Sequence, residues 1–501
     1  MDRREFVRAS SALAAAATFP HAAWAAQQTE RLPVTIHARE VVGTLAHVWE
    51  ESAGSDRAAI TLRERWRQDL DRWVKEVGLK RVRFHGILND ELGVYAPSIL
   101  NRRKVTPNFQ NVFEVYDGLI ERGVSPYVEV SFMPQALASG TGTFGFYKGN
   151  ISPPKSLDDW SAFIRTWVGA LADRYGVAAL RTWPFEIWNE PNLPFFWSGN
   201  QQQYFDLYKA TAVAIKQIDA VIPVGGPSTS EGAWVREFAD FCGQNNAPLD
   251  FFGTHAYAAS AQKKDEDVNE AVPDTVREVR RIIEATAHAG KPLWLSEWSS
   301  DSPAMIAHVV KECLPHVQAM SHWTLSGTYE ELGVFDTVLR EGDNGWPALY
   351  RGIARPGFNT YKLLHALGTE QLHVDGPGLA TRMPGRGVAA LVWNLAKAQQ
   401  AAGLPSATTE RKVEGSPKTL DVRFDGTKPG AKAVVRFVDQ ERGSPLPAWR
   451  MMGSPQYLRP EHLTRLRAAS EIAPPVRMRL DGRSTLSLDL PPEGVALIEI
   501  V

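Results

Sequence analysis

The sequence predicts an α/β protein: a (β/α)8 TIM barrel with an accessory C-terminal β-sandwich domain. Three observations predict it. Apolar strand-like runs alternate with amphipathic helices from about residue 40 to 355, the pattern of parallel strands joined by crossover helices. Two of those runs end in a glutamate beside tryptophan, Glu186-Ile187-Trp188-Asn189-Glu190-Pro191 and Leu293-Trp294-Leu295-Ser296-Glu297-Trp298. After residue 370 the helical periodicity fades into short alternating strands separated by Gly, Pro and polar turns. The barrel is placed at 40–358, and the sandwich at 27–39 plus 359–501.

In chain order, Arg57 to Val77 reads as a helix because Ile60, Leu62, Trp66, Leu70, Trp73 and Val74 recur mostly at three- and four-residue steps. Lys80–Gly86 follows as strand and loop. Helices are expected at Val112–Gly123, Leu157–Tyr175, Gln201–Asp219, Ala233–Asn245, Thr275–Ala289 and Ser302–Ala319. Strands fall between them at Pro126–Pro134, Val177–Phe185, Val221–Pro227, Leu249–Tyr257, Lys291–Trp298 and Ser321–Leu325. If His47-Val48-Trp49 ends the first barrel strand, Glu190 follows the fourth and Glu297 ends the seventh. The sandwich strands are expected at 389–394, 433–438, 485–490 and 495–500, completed by an early strand near Pro33–Ile36.

Composition excludes several classes. Hydrophobic residues make up 44%, charged residues 22%, and the net charge is −2, so no basic excess points to nucleic acid. No Gly-x-Gly-x-x-Gly turn follows a strand. Cys242 and Cys313, the two cysteines present, sit in apolar helical contexts and read as buried thiols. The scattered histidines show no metal-ligand spacing; no metal and no cofactor is expected, and His47 and His322 read as structural. Sixteen tryptophans are many; most belong to core packing, but indole faces also stack on sugar rings. Residues 1–26 read as a leader: Arg3-Arg4 with Phe6 resembles a twin-arginine export signal, followed by an Ala-rich stretch to Phe19 and a small-x-small site at Ala23-Trp24-Ala25. The expected locale is therefore the bacterial periplasm or the exterior. The stretch is too short for a permanent span, so no stable membrane insertion is expected. Nothing in the sequence specifies an oligomeric state.

A parallel barrel presents the C-terminal ends of its strands at one mouth, so Glu190 and Glu297 can meet there despite their separation in sequence. Two carboxyl groups facing one gap can hydrolyse a glycoside, one protonating the leaving oxygen and the other attacking the anomeric carbon. The acid needs an apolar surround to hold its proton, which Trp188, Phe195, Phe196 and Trp197 can supply to Glu190. The nucleophile needs hydrogen-bond donors, and Arg83, His255 and Tyr257 are candidates.

These residues resemble a known family. Asn189-Glu190-Pro191 is similar to the acid/base motif of the retaining barrel glycosidases. Arg83-Phe84-His85-Gly86, Glu129–Pro134, Gly225-Gly226-Pro227, Thr254-His255-Ala256-Tyr257, Ser296-Glu297-Trp298-Ser299 and Tyr329-Glu330-Glu331 narrow it to glycoside hydrolase family 39, which contains β-xylosidases and α-L-iduronidases. The resemblance implies Glu190 as acid/base, Glu297 as nucleophile, Asn189 on the hydroxyl next to the anomeric carbon, and His255 and Tyr257 steering Glu297. It further implies His85, Glu330 and Glu331 on the remaining hydroxyls. Phe132, Phe196 and Trp197 divide between the wall of the site and the core. One segment departs from the family xylosidases: after the Glu pair the chain reads Phe335-Asp336-Thr337 through Trp346-Pro347 where a Gly-rich Phe-Gly segment is usual, and the loop 262–273 is long and charged.

The expected function is removal of non-reducing-end sugars from an oligosaccharide or glycoside, first as a β-1,4-xylosidase on xylo-oligosaccharides. An α-L-iduronidase-like or exopolysaccharide-degrading activity is the alternative. An iduronidase needs a cation facing the C5 carboxylate, for which Arg340 and Arg351 are unplaced candidates. A catalytically dead carbohydrate-binding barrel is the reading from another class, which a hydrolysis assay separates.

Overall fold

The computed structural model describes residues 30–97, 104–258, 267–300, 302–327, 348–400 and 411–500. Eight parallel strands close a barrel: β2 (Ser52–Arg57), β3 (Arg81–His85), β4 (Ser125–Val130), β5 (Phe185–Ile187), β6 (Val224–Ser230), β7 (Phe251–Tyr257), β8 (Leu293–Ser299) and β9 (Ala319–His322). Helices α1 (Glu64–Val77), α2 (Gln110–Ile120), α3 (Leu157–Tyr175), α4 (Gln201–Ile218), α5 (Val235–Gln244), α6 (Ala271–Glu284), α7 (Pro303–Cys313) and α8 (Pro356–His365) alternate with them. Glu190 thus follows the fourth barrel strand and Glu297 lies in the seventh.

The helix boundaries follow from local chemistry. Ser156 accepts from the Asp159 amide at the start of α3, Asp158 and Asp159 meet the positive end of its dipole, and Gly176 follows its last turn. Trp160, Phe163, Ile164, Trp167 and Leu171 give that helix its buried face. Asn200 and Gln203 form a reciprocal capping box on α4.

Two expected strands differ. The first barrel strand is Ser52–Arg57, whereas His47-Val48-Trp49 leads into a turn before it. Ser-Ala-Gly-Ser-Asp-Arg carries little apolar signal, yet all six residues are buried, and a Cβ on Gly54 would sit 2.3 Å from the Trp323 ring. The run Val177–Phe185 divides into a short helix, Val177–Leu180, and a strand that begins only at Phe185.

The second domain is built on β1 (Glu30–Thr44), β10 (Glu370–Asp375), β11 (Gly378–Met383), β12 (Gly387–Trp393), β13 (Lys418–Asp425), β14 (Lys432–Val438), β15 (Val476–Arg479), β16 (Thr485–Leu490) and β17 (Val495–Ile500). They pair in the order β15-β14-β17-β12-β11-β10-β1-β13-β16. β1 runs antiparallel to β10 and parallel to β13. Val34, Ile36, Val388, Val422, Phe424, Val435, Leu488 and Ile498 share one apolar core to which no helix among the described residues contributes. The sheet therefore folds over on itself, as a sandwich does. The opposite face of β12 and β17, with Leu391, Trp393, Val495 and Leu497, joins the barrel's own core cluster against α7. The seam between the domains is thus packed like an interior.

Asp69 in α1 is wholly buried and accepts from the Ser326 hydroxyl and the Gly352 amide at 2.7 Å each. Burial pushes its carboxyl up to about 6. Between the ordinary carboxylate range and pH 6 the unfolded chain loses this proton while the folded chain keeps it, so stability falls as pH rises through that window. The loss amounts to roughly 3 kcal/mol at two pKa units. Asp69→Asn should flatten this part of the pH–stability profile in thermal melts between pH 4 and 7. An unchanged slope would show that Asp69 does not titrate there.

Candidate active site

The strand ends at the barrel mouth bring most of the expected residues together. Beyond β5 the chain turns sharply: Trp188 and Glu190 adopt positive φ (75° and 39°), strained for side-chain-bearing residues. The bend is held by the Glu190 amide on the Ser228 carbonyl at 2.8 Å and by the Trp188 indole N–H on the Phe196 carbonyl at 2.9 Å. Glu297 comes from β8, His255 and Tyr257 from β7, Arg83 and His85 from β3.

A carboxylate oxygen of Glu190, one of Glu297 and a ring nitrogen of His255 all lie within 4.8 Å of one another. Glu190 and Glu297 are 7% and 4% exposed, so each keeps an edge open at the mouth. Both oxygens of Glu297 accept hydrogen bonds, Oε1 from Arg83 Nη1 at 2.6 Å and Oε2 from Tyr257 Oη at 2.7 Å. Burial pushes the Glu297 carboxyl above its ordinary range against the pull of His255, Arg83 and His85, and the Glu190 charge adds to the rise. His255 Nδ1 lies 3.0 Å from Glu190 Oε1 and 3.6 Å from Glu297 Oε2. Its hydrogen bond therefore serves Glu190 rather than the Glu297 it was expected to steer. Burial pushes the His255 ring down to about 4, so it is neutral near pH 7.

Arg83 is fully buried and reaches four partners: Glu297, Glu186 (2.6 Å from Nε), Glu129 (2.9 Å from Nη2) and the Asn189 side-chain oxygen (2.9 Å from Nη2). With its oxygen so held, the Asn189 amide nitrogen is buried with no partner among the described residues, a donor facing the mouth. His85 Nδ1 lies 2.6 Å from Glu129 Oε2, and its Nε2 lies 3.7 Å from Glu297 Oε1. The Trp323 ring is centred 4.7 Å from the His85 ring and Phe196 5.7 Å.

Other expected residues sit further back. Phe132 packs edge-on to Trp188 and against Tyr147, 6.3 Å from the His85 ring. Trp197 lies behind Trp188, donating to the Asn200 carbonyl at 3.1 Å; it braces the wall from the core side. Glu330, Glu331, Arg340 and the segment Phe335–Pro347 lie outside the described residues. Arg351 stacks over Tyr350, a member of a satellite core cluster, and its carbonyl accepts from Arg467. Sequence reasoning gave no role to Glu129, Glu186 or Trp323. Glu129 and Glu186 alternate with apolar residues in strands β4 and β5, and a charged side chain on a buried strand is the signal that could have found them.

The profile of Glycosyl hydrolases family 39 matches residues 32–485. The chain belongs to that family. It is 33% identical over 462 residues to a beta-xylosidase of Caldicellulosiruptor saccharolyticus, covering 88% of this chain and 92% of that one. It is 31% identical over 479 residues to a beta-xylosidase of Geobacillus stearothermophilus, covering 90% and 92%. Among solved structures, the monomeric beta-xylosidase from Caulobacter crescentus CB15 superimposes with a TM-score of 0.83 at 33% identity, covering 93% of this chain and 99% of the other. Membership in family 39 makes the protein a glycoside hydrolase, and a glycoside its substrate. No helix among the described residues is long and apolar enough to cross a membrane.

Proposed function

We propose that the protein is a retaining, exo-acting β-xylosidase that trims xylo-oligosaccharides from the non-reducing end. The carrying observation is the approach of a Glu190 oxygen and a Glu297 oxygen to within 4.8 Å. Retaining pairs sit at roughly 5–5.5 Å, whereas inverting pairs need about 6.5–9.5 Å to admit a water. The β-xylosidase relatives support the choice of sugar.

In this reading Glu297, charged and gripped by Arg83 and Tyr257, attacks the anomeric carbon while Glu190 protonates the departing oxygen. The resulting ester is hydrolysed by a water that gives its proton to Glu190. The neutral His255 holds Glu190 in place. The Asn189 amide donates to the hydroxyl beside the anomeric carbon, and Trp323 offers a flat wall to the ring. The Arg3-Arg4 leader supports export to the periplasm or beyond.

A panel of nitrophenyl glycosides followed by NMR tests this reading. The β-xyloside should be cleaved best, with β-xylose formed first. If α-xylose appears first, the double displacement fails; if another glycoside leads the panel, the sugar is reassigned. Tyr257→Phe removes one donor to a carboxylate, worth about 1.5–3 kcal/mol, so kcat/KM should drop roughly 10- to 100-fold. Losing that donor disfavours the charged form, so the acid limb of the kcat/KM profile should move to higher pH.

A further inference from the structure

At the opposite end of the barrel, just ahead of β2, His47 and Glu50 meet His365 at the end of α8. His47 Nδ1 lies 2.5 Å and His365 Nδ1 2.8 Å from the same oxygen, Glu50 Oε1. The other nitrogen of His47, Nε2, faces the Gly368 carbonyl at 3.2 Å. A carbonyl can only accept, so this contact is a hydrogen bond in the tautomer that carries its hydrogen on Nε2. A neutral His47 would then aim its Nδ1 lone pair straight at a carboxylate oxygen, which is repulsive. In that tautomer the Nδ1 lone pair and the Glu50 oxygen converge on one gap, which a metal ion can bridge.

The surroundings fit an ion. All three donor atoms lie within 4.8 Å of one another. His47 is fixed by stacking on Trp49 at 4.6 Å, and its bond to a backbone carbonyl is the kind of support that orients metal-bound imidazoles. Gly78 leaves the necessary room, since a Cβ there would come within 2.8 Å of the His365 ring and 3.3 Å of Glu50 Oε2. Neighbouring cations are engaged elsewhere: Lys80 and Arg81 pair with Glu51, and Lys362 with Glu76 and Glu471. Burial works against a charge on Glu50, yet the hydrogen bonds of His47 and His365 hold its carboxyl below the ordinary range, ready to act as a ligand.

We propose that His47, Glu50 and His365 form a site for a divalent transition-metal ion of the Zn2+ type, separate from the catalytic mouth. Two imidazoles and one carboxylate are a borderline-soft donor set suited to Zn2+. Tetrahedral bonds of about 2.1 Å space donors roughly 3.4 Å apart, so the His47–Glu50 and His365–Glu50 contacts need to open by under about 1 Å to admit the ion. The bound ion would join the segment entering the barrel from β1 to the helix leaving it toward β10, at the place where the Leu45 amide already bonds the Thr369 carbonyl at 2.8 Å. It would act there as a staple between the two domain crossings.

The test titrates Zn2+ into the chelator-treated full-length chain by calorimetry at neutral pH, with circular dichroism confirming the fold of each variant. Wild type should take up one ion. His365→Ala, at a half-exposed helix end, should weaken that binding at least about tenfold, His365→Cys should restore it, and glycoside hydrolysis should be unchanged in both. His373→Ala, which disrupts the surface group His37, His373 and Asp375, should leave the binding intact. Failure of wild type to bind an ion stoichiometrically, or His365→Ala binding as tightly as wild type, overturns the proposal.

Discussion

Glu297→Ala is expected to lower kcat on an activated xyloside by roughly 10⁴-fold or more, the scale seen when a covalent nucleophile is removed. Azide should then restore turnover. Alanine opens a space beneath the anomeric carbon where the carboxylate stood, between Arg83 Nη1 and Tyr257 Oη, and a small anion attracted by Arg83 can enter it. With no carboxylate to attack, azide performs a single displacement and yields the glycosyl azide of opposite anomeric configuration. A product with the substrate's own configuration would move the nucleophile away from Glu297. Glu190→Ala makes a clean contrast, because its nucleophile survives and azide should give the retained product.

The second large effect is on folding. Arg83→Met should destabilise the chain by about 3–5 kcal/mol, the range for leaving one partner of a buried pair uncompensated. That is a large share of the roughly 5–15 kcal/mol that holds a typical domain. Glu129, Glu186 and Glu297 all lose the same guanidinium, so the cost cannot be relieved at one contact alone. The pH dependence identifies the cause. Burial pushes Glu129 up, but His85 and Arg83 hold it below the ordinary carboxylate range. Its contribution is therefore present above the unfolded carboxylate pKa and lost as pH falls through the folded value. Without Arg83 that contribution shrinks, and the deficit should narrow as the medium is acidified. Urea melts at pH 8 and at about pH 3.5, below the ordinary carboxylate range, measure this; a variant within about 1 kcal/mol of wild type at pH 8 would mean that the carboxylates have other compensation.

The barrel was legible because its helices carry strong periodicity. Trp160, Phe163, Ile164, Trp167 and Leu171 mark α3 to the residue, and Glu190 and Glu297 stand out as acids among aromatics. β2 was illegible for the converse reason: Ser52–Arg57 faces a crowded barrel interior where Gly54 must pass under Trp323, and small or polar residues fit there. Four strands of the second domain, β10, β11, β13 and β15, also escaped notice. Lys418–Asp425 lies between Gly415-Ser416-Pro417 and Gly426, but its only apolar residues are Leu420, Val422 and Phe424, too short an alternation to stand out among charged neighbours. At the site, residue types identified the reacting pair, but the partner of His255 depended on a distance that no sequence spacing encodes. The junction of His47, Glu50 and His365 is a similar case, since two of its members come from a turn and the third from a helix more than 300 positions later.

The placement of β1 has a consequence for biosynthesis. Its partners, Glu370–Asp375 and Lys418–Asp425, are translated long after it. A nascent chain must therefore hold Val34 and Ile36 exposed, with both strand edges unsatisfied, while the whole barrel is made. Chaperone capture of that segment, or premature pairing between neighbouring nascent chains, becomes the natural hazard of producing this enzyme at high concentration.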